Sequence, residues 1–127
     1  KTDRRESGYC RIKVEGKDLS FYGKKIKTKN KNFWVYAANP GKIKKPTNSH
    51  PIVQSYVDLF IGGCFQIKER YKINEFPKQC VETTTEWSKH WVNDRVHARR
   101  PFLVPNFYKI DKLLSNYFDY YLENKYQ

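Results

Sequence analysis

Between residues 87 and 100 the chain reads Trp87-Ser88-Lys89-His90-Trp91-Val92-Asn93-Asp94-Arg95-Val96-His97-Ala98-Arg99-Arg100, its densest run of chemically capable side chains. On a helix, Trp87, Trp91, Asp94 and Arg95 fall along one side, with His90 and His97 near it. Two chemistries fit that grouping. In the first, His90 or His97 acts as a general base oriented by Asp94, and Arg99 or Arg100 stabilises a phosphate transition state. A small basic ribonuclease works with such a set, but no other acid or base converges on it by spacing. In the second, the segment recognises a partner. Trp and Arg join large rigid area to forked hydrogen bonding. The candidate partner-binding residues are therefore Trp91, Val92, Arg95, Val96, Arg99 and Arg100, and no catalytic residue is assigned. A purely structural role, with both tryptophans in the core and the arginines solvated, stands beside that reading.

Other chemistry has little support. Cys10, Cys64 and Cys80 are odd in number and widely spaced, with no C-x-x-C pair. Free, reduced thiols are expected rather than a zinc site. His50, His90 and His97 follow no ligand spacing. Gly62-Gly63 lacks the Lys-Ser/Thr of a phosphate-binding loop, and there is no nucleophile elbow or zinc-protease helix. No cofactor and no metal are expected.

The elements that must position these residues read as an α+β fold in one domain, 1–127. A basic, β-rich lobe covers about 1–50, and a mixed, helical lobe about 51–127 packs with it. Tyr9–Val14 and Phe33–Ala38 have strand composition, and a further strand is expected over Leu19–Tyr22. Turns are expected at 15–18 and 29–32, giving an antiparallel meander with lysines on its exposed face and most aromatics in the core. Residues 39–51 form the clearest loop. Ile52–Phe60 and Cys64–Ile73 read as apolar segments bent at Gly62-Gly63, the second a half-buried strand. Helices are expected over Glu86–Ala98, capped from Thr83-Thr84-Thr85, and over Phe107–Leu122, capped by Asn106.

Charge is unevenly placed. Lys and Arg number 25 against 13 Asp and Glu, a net charge of +12. Residues 1–49 hold 14 basic and 4 acidic groups (+10), whereas 50–127 hold 11 and 9 (+2). So one-sided a field attracts DNA, another polyanion or an acidic protein surface, unless the lysines serve only as a solvated face. No apolar run approaches the ~20 residues of a membrane span. No signal peptide is visible, and the absent initiator Met suggests an excised or processed domain.

Several segments carry a family resemblance. They are His50-Pro51-Ile52-Val53, Phe60-Ile61-Gly62-Gly63-Cys64-Phe65-Gln66-Ile67-Lys68-Glu69-Arg70-Tyr71, Glu86-Trp87-Ser88-Lys89-His90-Trp91 and Phe107-Tyr108-Lys109-Ile110-Asp111-Lys112-Leu113-Leu114. In this order the chain resembles the ORC-interacting regions of the silent information regulator protein 1 family of budding-yeast silencing proteins. The likeness covers about residues 50–123 and extends only loosely into the basic half. It implies a compact two-lobed, non-catalytic, monomeric module in the nucleus with no membrane contact. The implied partner is the bromo-adjacent homology (BAH) domain of the largest origin recognition complex subunit. Through it, other silencing proteins are recruited to silencers at the silent mating-type loci.

Overall fold

Alternating side chains in β1 (Tyr9–Val14) and β2 (Phe33–Ala38) build an antiparallel pair, with register running from Tyr9 opposite Ala38 to Val14 opposite Phe33. The computed structural model describes residues 2–24, 26–100 and 104–123, with residues 122 and 123 described by backbone alone. With strands and helices together, the protein is α+β. It divides into two compact units, 1–44 and 45–127, a boundary inside the expected loop.

In the first unit the register separates two sheet faces. Cys10, Ile12 and Val14 stand opposite Ala37, Val35 and Phe33 on the apolar one. Tyr9, Arg11 and Lys13 stand opposite Ala38, Tyr36 and Trp34 on the other. Asp3, in the short helix α1 (Thr2–Arg5), accepts from Arg11 Nη1 at 2.7 Å and from the Tyr36 hydroxyl. The Tyr36 bond, with Arg11 behind it, lowers the Asp3 pKa, and the same bond raises that of Tyr36. The expected strand over Leu19–Tyr22 does not form. A 3-10 turn at Gly16–Asp18 leads instead into irregular chain that folds back over it. A Cβ at Gly16 would stand 2.7 Å from Thr28 Oγ1, so the return path requires glycine there. Asn30, with φ 64°, makes the turn before β2. Trp34 and Tyr22 are exposed rather than core.

The second unit opens with β3 (Ile52–Val53), which pairs in parallel with β4 (Trp91–Val92). Helices α2 (Gln54–Tyr71), α3 (Phe76–Thr83), α4 (Phe107–Ser115) and α5 (Tyr120–Glu123) enclose the core. That core is Val57, Ile61, Val81, Trp91, Ile110, Leu114 and Tyr121.

The second unit differs from the expected elements in three stretches. Gly62-Gly63 is not a bend, and 65–73 is not a strand: both lie in or beside the 18-residue α2. The strand parity of Phe65, Ile67 and Tyr71 competes with Val57, Ile61 and Cys64 at helical steps, and the second set is the buried one. Glu86–Ala98 is not a helix. The hydroxyls of Thr83 and Thr84 bond back to the carbonyls of Gln79 and Cys80, each at 2.7 Å, and so end α3 instead of starting a helix. The chain then runs extended into β4 and a 3-10 turn at Arg95–His97. Phe107–Leu122 is two helices rather than one. The break at 116–119 sets Phe118 against Trp87 and Tyr121 edge-on to Trp91, with ring centroids 5.3 Å apart in both pairs. Asn106, with φ 62°, makes no side-chain cap.

The two central glycines of α2 differ. A Cβ at Gly62 would meet Val104 Cγ1 at 2.9 Å, whereas one at Gly63 would meet nothing within 4 Å. Alanine raises helix stability over glycine by about 0.5–1 kcal/mol where space allows. Gly63→Ala should therefore raise the urea midpoint, and Gly62→Ala should lower it.

Candidate functional site

The segment of highest chemical density is an irregular edge fastened to α2 by two successive side chains. Asp94 accepts at Oδ1 from the Ser55 amide (2.8 Å), and at Oδ2 from the Ser55 hydroxyl (2.7 Å) and the Arg99 amide (2.8 Å). Burial pushes its pKa up, but these bonds to the ionised form outweigh it and leave the carboxyl below its ordinary range.

Arg95 goes inward. Its Nε and Nη2 donate to Asp58 at 2.7 and 2.6 Å. Its Nη1 and Nη2 donate to Asp111 at 3.1 and 2.8 Å. Asp58 lies on α2 and Asp111 on α4, so one guanidinium clamps the edge to both helices, with the Phe107 ring 4.7 Å from its centre. Burial disfavours the guanidinium charge, but the bonds to Asp58 and Asp111 prevail and raise its pKa. The network continues outward from the two carboxylates. Gln54 Nε2 donates to Asp58 (2.8 Å), Trp91 Nε1 donates to Gln54 (2.8 Å), and the Tyr121 hydroxyl donates to Asp111 (2.6 Å). Burial first, and then the bond to Asp111, raises the Tyr121 pKa. Among the described residues no buried side-chain polar atom lacks a partner.

The six candidate residues thus separate by role. Trp91 is core, stacked on Trp87 at 5.7 Å, and Arg95 is a clamp with 18% of its side chain exposed. Val92, at the end of β4, is 36% exposed, and Val96 is 87% exposed. Arg99 and Arg100 are exposed. The Arg100 guanidinium lies 4.6 Å from the Tyr56 ring centroid. The outward set is Val92, Val96, Arg99 and Arg100: an apolar pair with two cations, held in place by the residues between them.

The acid–base set does not assemble. Asp94 is committed to Ser55 and Arg99, and His90 Nδ1 lies 2.6 Å from Asn48 Oδ1. Among the described residues no cluster of three metal-ligating side chains occurs. Cys10 is exposed, while Cys64 is buried. Burial, and then a bond to Cys80, push the Cys64 thiol up to about 12.

Sequence reasoning missed Asp58, Asp111, Ser55 and Gln54. The available signal was a single carboxylate directly after a core residue in each of Val57-Asp58 and Ile110-Asp111. A buried acid in such a place requires a cation.

Compared with known protein families, curated proteins and solved structures, the chain matches none.

Removing the clamp leaves two carboxylates buried without their cation. Arg95→Ala should cost about 3–5 kcal/mol in urea unfolding. Asp94→Asn should cost about 2 kcal/mol at neutral pH. Because the folded pKa of Asp94 lies below its unfolded value of about 3.9, its contribution is complete above pH ~4 and is lost as pH falls through the folded pKa. The gap between wild type and Asp94→Asn should close over that acid range.

Proposed function

We propose that this chain is a non-catalytic protein-recognition module, and that the Val92–Arg100 edge binds the BAH domain of the largest origin recognition complex subunit in transcriptional silencing at nuclear chromatin. The observation that carries the reading is the edge itself. Val96 is 87% exposed, and the exposed Arg99 and Arg100 follow it on a segment fastened at Asp94 and Arg95. A surface ordered before its partner arrives loses less entropy on binding. Two exposed valines followed by the exposed Arg99 and Arg100 suit an acidic patch, because each of these guanidinium groups can take a carboxylate bidentately. The family resemblance supplies the partner, and the commitment of Asp94 to Ser55 and Arg99 favours recognition over catalysis. The strongly basic first unit adds long-range attraction to an acidic partner, an effect on association rate that salt screens.

A second reading has one observation in its favour. On the β1–β2 sheet, Arg11 and Lys13 share a face with Tyr9, Trp34 and Tyr36, and the Arg11 guanidinium lies 4.4 Å from the Trp34 ring centroid. Cations beside exposed aromatics suit single-stranded nucleic acid.

Titration against the BAH domain tests the first reading. Val92→Asp and Val96→Asp, at exposed positions, should keep the circular dichroism of wild type and weaken binding about thirtyfold, roughly 2 kcal/mol. Wild-type affinity in both folded variants would remove the edge from the interface. For the second reading, an oligothymidylate should quench tryptophan fluorescence at low salt, and Trp34→Ala should abolish the quenching. Unchanged fluorescence across the titration would remove it.

A further inference from the structure

Helix α2 is apolar on two opposite faces. One carries Val57, Ile61 and Cys64 into the core. The other carries Tyr56, Phe60, Gly63, Ile67 and Tyr71, at steps of four, three, four and four residues, with Leu59 at its side. Its large members are exposed: Tyr56 47%, Leu59 44%, Phe60 44%, Ile67 36% and Tyr71 58%. A helix with one buried face ordinarily turns charged residues to solvent. Toward the end of this stripe Phe60, Gly63, Ile67 and Tyr71 line a shallow groove closed on one side by Phe76 of α3.

The flanking charges say what the stripe fits. Arg100 lies over the Tyr56 ring at one end, and Arg70 lies 5.4 Å from the Tyr71 ring centroid at the other. The two tyrosines lie fifteen helical steps apart, about 22 Å. Among the described residues neither arginine is in an ion pair, while Asp58 is held by Arg95 and Glu69 reaches Lys109. The stripe is therefore rimmed by cations at both ends. A helix face offers no backbone donor or acceptor, so whatever lies along it must satisfy its own backbone, as a helix does. Gly63, open to solvent near the middle, lets a second backbone come close.

We propose that the outward face of α2 is a second binding surface, taking an amphipathic helical segment of a partner protein with carboxylates at both ends of its apolar stripe. The surface does not depend on the BAH reading, and it meets the Val92–Arg100 edge at Arg100.

The probe is a capped, fluorescently labelled helical peptide of about 18 residues, ~27 Å long, with Leu at three- and four-residue steps and paired Glu at each end. A companion peptide carries Lys in place of Glu. Anisotropy against the full chain should show saturable binding of the Glu-ended peptide, with the Lys-ended one at least about tenfold weaker. Ile67→Asp and Leu59→Asp should each lower affinity about tenfold or more with helical circular dichroism intact. Arg70→Glu, at an exposed position that leaves the apolar stripe whole, should reverse the preference between the peptides even if an Asp variant fails to fold. No saturable binding, equal binding of the two peptides, or indifference to Arg70→Glu would overturn the proposal. Self-association of the chain that Ile67→Asp abolishes would assign the face to a second copy and overturn it equally.

Discussion

A single guanidinium between two buried carboxylates ties the irregular edge of the second unit to two of its helices. Arg95 arises from a 3-10 turn with almost no regular structure of its own, and its partners sit on α2 and α4. Two acids and one base cannot be buried at low cost by charge pairing alone. The surrounding donors complete the arrangement: Gln54 supports Asp58, and Tyr121 supports Asp111. Trp91 then joins the network through Gln54 while its ring fills the core, so the polar and apolar parts of the interior lock each other in register. The edge that follows β4 needs no helix to be ordered. Its order comes from Asp94 and Arg95, which point inward and leave Val92, Val96, Arg99 and Arg100 outside.

What the sequence made legible follows from how local each signal is. The strands Tyr9–Val14 and Phe33–Ala38 depend on β-rich composition and on a turn at Asn30, all within short range. The start of α4 and the core positions Ile110 and Leu114 follow from helical spacing. The misread elements are those where two patterns compete. Phe65, Ile67 and Tyr71 alternate like a strand because α2 is apolar on both faces, a condition that simple amphipathicity does not describe. Trp87 and Trp91, four residues apart, imitate a helix, yet they stack at 5.7 Å from extended chain. The threonines at 83 and 84 suit either end of a helix, and only their bonds back to Gln79 and Cys80 decide which.

The candidate site was half legible for a related reason. Trp, Val and Arg marked the segment, but side-chain direction there depends on Asp58 and Asp111, 37 and 16 positions away from Arg95. Arginine composition alone does not separate a clamp from a contact. Partners so distant in sequence do, and they turned Arg95 and Trp91 into supports for the four residues that remain outside.

In the proposed function, Val92 and Val96 meet a partner on an edge that internal bonds have already fixed. Methyl NMR of the valine-labelled chain, titrated with the BAH domain, reads this directly. The Val92 and Val96 signals should shift and broaden on binding, while those of Val57 and Val81 in the core stay in place. Binding that leaves Val92 and Val96 unmoved would contradict it.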